Sequence, residues 1–429
     1  MRMAGNRPFA GIRTRDVPGG GCTVDTSRLP TRREFLEAGA GCLAGAAFAS
    51  ACSRSNPPDQ ALPRTGRSVV RTLGRTGLRL PVVSMGSAYA IDLIHSALDA
   101  GIVYVHTSSS YAERNHERML GQVFRGRPRD SFVVASSPDL PSRWESGQST
   151  SLDLGTNTDP KLILESIDGS LERLGLAAVD IYYLASIGQR RTALFEPYMK
   201  AFERLKRDGK ARFVGITTHA NEAEVIRAAV ESGFWDVVLT AYNFRQSHRE
   251  EVRAAIRQAA EAGLGVVAMK TQAGVYWDRL RRRKINMKAA LKWVLQDENV
   301  HTSIPAFSNY DEMAEALSVM KDLTLSPEEE RDLGLGQRAG LSGLYCQQCA
   351  RCLSQCPAGV EIPTLMRSHM YAVGYGQPGQ AMRTVRAQTS ADIACTRCDR
   401  CRVRCALGFD VRARALHIAR LLDSDLTAT

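Results

Sequence analysis

Eight cysteines stand in two runs of identical spacing: Cys346, Cys349, Cys352 and Cys356, then Cys395, Cys398, Cys401 and Cys405. Both runs read C-x2-C-x2-C-x3-C, and the first is followed by Pro357. Two-residue gaps let one loop wrap three corners of a compact inorganic core, and soft thiolates suit iron and sulfide. Zinc ribbons and disulfides are the competing uses of clustered cysteines, but neither predicts two copies of a four-cysteine run with a longer third gap.

This spacing resembles that of bacterial two-cluster iron-sulfur proteins, in which three cysteines of one run and the fourth of the other hold each cluster. The resemblance implies a 4Fe-4S cluster on Cys346, Cys349, Cys352 and Cys405, and a second on Cys395, Cys398, Cys401 and Cys356. The runs start 49 residues apart, so they read as an internal duplication. Between them, Ile362 to Val373 and Pro378 to Arg386 read as helices and strand patterns are scarce, which predicts a mainly helical module over residues 340–425. Ala406 follows Cys405 where proline is usual, and Gly408 to Ile418 supplies a turn and an amphipathic helix with Val411, Leu416 and Ile418 for packing.

The rest of the chain must carry any substrate chemistry. Over residues 68–325, short apolar runs alternate with amphipathic helices. Strands are expected at Val82–Gly86, Val103–Thr107, Phe132–Ser136, Ile181–Leu184, Phe213–Thr217, Val237–Tyr242, Val266–Lys270 and Thr302–Pro305. Helices such as Leu162–Leu174, Tyr198–Arg207, Glu222–Glu231, Glu250–Ala262, Lys288–Gln296 and Asp311–Lys321 separate them. Eight such units in this length predict an α/β chain: a TIM (β/α)8 barrel followed by a small, mainly α-helical two-cluster ferredoxin-like domain. A doubly wound sheet is the alternative, but no G-x-G-x-x-G opens the first unit. Any site then belongs at the strand C-termini.

Thr72–Leu78 before Leu80-Pro81-Val82-Val83, Ser170–Gly175 before Val179–Leu184, Tyr242-Asn243, and Ala289–Leu295 resemble the aldo-keto reductase family, in order and across the whole barrel. Val266–Lys270 and the cysteine tail resemble the branch with a C-terminal ferredoxin-like module. The resemblance implies hydride transfer from NADPH to a carbonyl, with a proton-donating Tyr tuned by a Lys that pairs with an Asp, and a substrate-orienting His. Three of the four positions differ. The Asp falls at His106, the Tyr is kept as Tyr111, the Lys falls at Ser137 and the His at Ala185. A free tyrosine titrates near ~10, and losing a tuned acid costs a factor of about 10²–10⁴. Tyr111, His106 and Lys270 are the candidate catalytic residues. His106 is expected to offer a proton near neutral pH, and Lys270 to meet an anionic substrate; a structural role for each is the alternative. His219 is expected near the mouth as well.

The implied nicotinamide site is also altered. Its ring-stacking aromatic falls at Met269, a Gln at Leu239, the basic residue for the 2'-phosphate at Met313, and a Glu-Asn pair at Glu315-Ala316. Losing a charge-assisted phosphate contact costs roughly 1.5–3 kcal/mol, so NADP(H) is expected to bind weakly.

Thr31-Arg32-Arg33-Glu34-Phe35-Leu36 before the Ala/Gly-rich run Ala38 to Ala51 resembles a twin-arginine signal over residues 1–52, with residues 1–30 a long prefix to it. The run is too short and too weakly apolar to span a bilayer. Ala49-Ser50-Ala51-Cys52 fits either A-x-A cleavage or a lipoprotein box, which would lipidate Cys52 and attach the protein to a membrane. Residues 53–67, rich in Pro, Ser and Arg, read as a linker. The expected location is the periplasm or the outer face of the membrane.

With 429 residues, 44% of them hydrophobic, the chain can bury one large core and a small one. The formal charge of +11 shrinks to about +4 once the signal's excess of arginine and the two clusters' thiolates are allowed for. No basic stripe interleaved with aromatics accompanies it, so nucleic acid is not an expected partner. Outside the two runs only Cys22, Cys42 and Cys52 remain, which argues against a disulfide framework. Two function classes follow: an exported iron-sulfur oxidoreductase acting on a small molecule at the barrel mouth, and an electron-transfer or partner-binding protein whose barrel is a scaffold. An electron donor or acceptor protein is the expected partner in both.

Overall fold

The computed structural model describes residues 68–140, 153–272, 286–338, 346, 351–374, 378–386, 395, 398, 401–406 and 408–426. The twin-arginine stretch, Cys42, Cys52, the 53–67 linker and Cys349 lie outside the described residues. The chain divides into two units, Met1–Gln60 and Ala61–Thr429, and all that follows concerns the second.

A seven-stranded, all-parallel sheet runs in chain order through β3 (Tyr104–His106), β4 (Val133–Ser136), β5 (Val179–Leu184), β6 (Ala211–Thr218), β7 (Val237–Ala241), β8 (Gly265–Met269) and β9 (Thr302–Ser303). These runs are rich in Val and Ile and mostly buried on both faces, as parallel strands under a helical coat must be. The expected first strand, Val82–Gly86, makes single parallel bridges instead, Val83 with Ser303 and Met85 with Val105. Those bridges join both edges, so the curled sheet closes on itself. A Cβ at Gly86 would come 2.7 Å from the Ile304 carbonyl oxygen, so glycine allows the chain to pass β9 this closely.

Two apolar layers hold the barrel. Tyr104, Val133, Ala135, Ile181, Tyr183 and Leu239 belong to the inner cluster. Alternate residues such as Val105, Val134 and Tyr182 pack in the larger cluster with the helices. The hairpin of β1 (Val70–Thr72) and β2 (Arg79–Pro81) adds Leu73 and Leu80 to the inner layer. Gly215 lies against the Tyr183 ring, and a Cβ there would sit 2.6 Å from both Tyr183 Cε1 and the Val237 oxygen. Tyr104 and Tyr183 meet hydroxyl to hydroxyl at 3.1 Å in this interior.

The helical coat comprises α1 (Ile91–Asp99), α2 (Tyr111–Arg114), α3 (His116–Phe124), α4 (Lys161–Leu174), α5 (Arg190–Ala193), α6 (Glu196–Arg207), α7 (Glu222–Ser232), α8 (Arg249–Glu261), α9 (Met287–Leu295) and α10 (Tyr310–Val319). Expected helix limits fall within two residues of these. Beyond the barrel, α11 (Pro327–Arg338) is tied to α9 by Lys292 Nζ, which donates to Glu329 Oε2 at 2.9 Å.

The C-terminal module is helical, as expected: α12 (Ile362–His369), a π-turn at Met370–Gly374, α13 (Pro378–Arg386) and α14 (Val411–Leu426). Glu361 caps α12 by accepting from Thr364 N at 2.5 Å, and proline occupies its first turn. Val411, Ala415, Ile418, Ala419 and Leu422 form the buried face of α14, while Leu416 is only half-buried. Met370 packs with Phe244, Ala289, Ala290 and Leu333, so the module docks on the barrel through its π-turn.

Candidate cluster site and barrel mouth

Cys356, Cys395, Cys398 and Cys401 line one apolar void together with Pro357, Val360, Ile362 and Val403. These are three sulfurs of the second run and the fourth of the first, the crossed set implied by the spacing. Burial, then the neighbouring Cys356, Cys401 and Cys398, push the Cys395 thiol up to about 11. Among the described residues no three His, Cys, Asp or Glu side chains converge to hold a single metal ion. A void ringed by four soft donors fits a 4Fe-4S cubane, which spaces its ligands around a core larger than one atom. For the other set, Cys346, Cys352 and Cys405 all pack against the module's core. Arg412 donates to the Cys398 carbonyl at 3.0 Å, fixing the loop that carries that ligand.

The other end of the module faces the barrel mouth. Lys270, just beyond β8 and at a left-handed φ of 56°, donates from Nζ to the Tyr371 hydroxyl at 3.2 Å. The same ammonium lies 5.0 Å from the Tyr371 ring centroid. Burial tends to raise the Tyr371 pKa, but the charges of Lys270 and Arg367 outweigh it and hold the phenol below its ordinary value. Lys270, His219, Asn243 and Gln246 of the barrel share a cavity with Arg367, Met370 and Cys346 of the module. Its room for water centres is about 20 Å³, enough for a single water. Thus a ligand of the first cluster borders the same space as the polar groups at the barrel mouth. His219 is half-buried, and burial followed by Lys270 and Arg367 keeps its imidazole neutral.

His106 and Tyr111 also sit at this end. Their rings meet edge to face at 5.9 Å, and His106 lies 5.6 Å from Tyr183. His106 is 3% exposed and neither ring nitrogen has a hydrogen-bond partner. Burial, with a smaller push from His116, lowers its pKa to about 3. This corrects the expectation of an acid titrating near neutrality: His106 is a neutral imidazole throughout the physiological range. Burial raises Tyr111 well above the ordinary tyrosine value, with Tyr89 and Tyr371 pushing the same way. Ser137 follows β4, and its carbonyl accepts from Ser109 N at 3.0 Å; Ala185 follows β5.

The structure therefore brings Tyr111 and His106 together and sets Lys270 against a partner that sequence reasoning missed. Tyr371 and Arg367 lie one helical turn apart, and that i, i+4 spacing is the only local signal they give. Nothing in it names Lys270, which is 101 residues away.

A family model described as the aldo/keto reductase family matches residues 73–289, and one described as a 4Fe-4S dicluster domain matches residues 345–410. L-glyceraldehyde 3-phosphate reductase of Escherichia coli O157:H7 is 24% identical over 329 residues, 62% of this chain and 91% of that protein. L-galactose dehydrogenase of Arabidopsis thaliana is 31% identical over 164 residues, 34% of this chain and 48% of that one. The aldo-keto reductase AKR11C1 from Bacillus halodurans, holo form, superposes with a TM-score of 0.50 at 22% identity, covering 66% of this chain and 99% of that one. This last likeness is one of fold. With the closed parallel barrel, the crossed cysteine set and a family match over half its length, the chain belongs to the aldo/keto reductase family as an oxidoreductase with a C-terminal 4Fe-4S dicluster domain.

Proposed function

We propose that this chain is an exported iron-sulfur oxidoreductase that acts on a small carbonyl-type substrate at the barrel mouth without a resident nicotinamide. The observation that carries the reading is the shared cavity, in which Cys346 of the cluster module borders Lys270 and His219 of the barrel. When bound, the two clusters supply one-electron transfer.

The residues at the mouth divide the remaining work. Tyr111, raised by burial and half-exposed, is a neutral phenol that donates a hydrogen bond to a substrate oxygen. His106 supports it edge-on as a neutral ring and offers no imidazolium proton at neutral pH. Lys270 supplies positive charge toward an oxygen that becomes negative. Ser137 and Ala185 stand where the family resemblance puts the tuning Lys and the orienting His, so the tetrad is eroded to Tyr111.

Three features support a lost nicotinamide. Met313, where the phosphate-gripping base would fall, is 2% exposed within the barrel's apolar core. The first turn of α10 carries Asp311 and Glu312, which repel a phosphate from that helix end. Its donors are also used: Glu312 N donates to Asn309 Oδ1 at 2.9 Å, and Ser308 N to Glu312 Oε2 at 2.7 Å. Export by the twin-arginine route, to the periplasm or as a Cys52-lipidated protein on the outer face, agrees with this, because no NADPH pool awaits there. The reductant is then an electron-donor protein.

The small size of the cavity favours a second reading, a scaffold barrel beside clusters that exchange electrons with a partner. One anaerobic assay separates the two. The protein is supplied with reduced methyl viologen and a panel of aldehydes and ketones. The first reading expects viologen oxidation that depends on a carbonyl and is slowed in Tyr111→Phe. Oxidation that no carbonyl accelerates supports the scaffold.

A further inference from the structure

We infer that electrons enter at the cluster site of Cys356, Cys395, Cys398 and Cys401, through a basic face made by Arg351, Arg402 and Arg404. The partner that docks there is an acidic one-electron carrier protein. The inference deepens the proposed function and rests on its protein reductant.

The two ligand sets have different surroundings. Cys346 borders the cavity at the barrel mouth, so its set lies on the substrate side. The void of the other set is lined by module residues alone, among them the exposed Pro357 and Ala358. Arginines gather beside that void. Arg402 lines it and is exposed, and the exposed Arg404 follows two residues on. Gln355, next to Cys356, draws Arg351 to the same place: its Nε2 donates to the Arg351 carbonyl at 2.9 Å and to the Arg404 carbonyl at 3.2 Å. Arg351 is exposed as well. Three guanidinium side chains, from both cysteine runs, thus stand in solvent next to one cluster site.

Their charge is turned outward. None of the three makes an ion pair among the described residues. Two acids of the module are committed to helix starts: Glu361 is buried and accepts from Thr364 N, and Asp410 accepts from Ala413 N at 2.9 Å. Over residues 395–405 the sequence holds Arg397, Arg400, Arg402 and Arg404 against Asp399. Arginines could serve only to offset the thiolates, but that inward role belongs to Arg412, half-buried and bonded to the Cys398 carbonyl. An exposed patch of one sign steers a partner of the other sign and speeds its encounter. Each encounter moves one electron, the carrier being oxidised by one and this chain reduced by one. Two electrons and two protons from water turn a carbonyl into an alcohol.

The test uses the full chain with both clusters and an acidic plant-type ferredoxin as the probe, with association followed anaerobically by surface plasmon resonance. Wild-type association should be fast at low salt and slow steeply as ionic strength rises. Arg351→Glu/Arg404→Glu should slow it about tenfold or more at low salt with iron content unchanged, and Arg351→Lys/Arg404→Lys should keep it near the wild-type rate. Methyl viologen is a dication, so carbonyl turnover driven by it should not fall in the Glu protein. Wild-type association that ignores salt overturns the inference and leaves the proposed function standing. So does a Glu protein that associates at the wild-type rate. Association as expected, with no carbonyl turned over from viologen or from reduced ferredoxin, supports the docking face and removes the proposed function.

Discussion

Gln355 and Arg404, the residues immediately before Cys356 and Cys405, exchange two hydrogen bonds: Arg404 N donates to Gln355 Oε1 at 2.7 Å, and Gln355 Nε2 to the Arg404 oxygen at 3.2 Å. This pair stitches together the ends of the two runs, next to Cys356, which lines one void with three cysteines of the second run. The crossing gives a distinctive expectation for iron. A Cys356→Ser/Cys395→Ser protein loses two ligands of one cluster and should keep about four irons of about eight, because the other set is intact. Uncrossed sets would lose a ligand from each cluster, and iron near zero by anaerobic assay contradicts the assignment.

His106 and His116 make stability depend on pH. His116 is buried between Thr107 Oγ1, 2.8 Å from Nδ1, and Ala88 N, which donates to Nε2 at 3.4 Å. Burial lowers it to about 4, and His106 to about 3. In the unfolded chain both titrate near ~6.5, so below that pH the unfolded state binds more protons. Stability contributed by neutral burial is full above about pH 6.5 and is lost as pH falls toward the folded values. The urea midpoint of the holoprotein should therefore drop from pH 7.5 to 5, and His106→Phe should flatten the drop. An unchanged slope in that variant counts against a buried neutral His106.

Gly215→Ala tests whether the barrel interior is filled as described. The added methyl would meet the Tyr183 ring and the Val237 carbonyl at 2.6 Å, and the carbonyl belongs to a ladder strand that cannot move alone. Overpacking of this kind costs typically 1–3 kcal/mol. Thermal unfolding should shift down by several degrees, and a neutral substitution would mean that Tyr183 does not lie across β6.

Much of this architecture was legible in the sequence, and for physical reasons. Runs such as Val237–Ala241 are apolar on both faces because helices cover a parallel sheet, and Asn309 caps α10 with a local hydrogen bond, so strand order and helix starts follow from short-range chemistry. That Cys356 lines one void with Cys395, Cys398 and Cys401 agrees with the spacing of the two runs, which is a local property of the sequence. Val82–Gly86 was misread as a full strand because a run of Val gives no sign that only two bridges form. The charge state of His106 was missed because burial of a ring nitrogen depends on Tyr111 and Tyr183, which a linear sequence does not place beside it. Tyr371 meeting Lys270 had no local pattern at all, since a contact between domains is set by docking at Met370.

The most direct test of the central claim is an anaerobic fluorescence titration of the two-cluster protein with NADPH. With the Met313 position buried and the α10 terminus carrying its own carboxylates, the account predicts no saturable binding up to millimolar nucleotide. Saturable binding in the micromolar range would contradict it and return the chain to nicotinamide-dependent reduction.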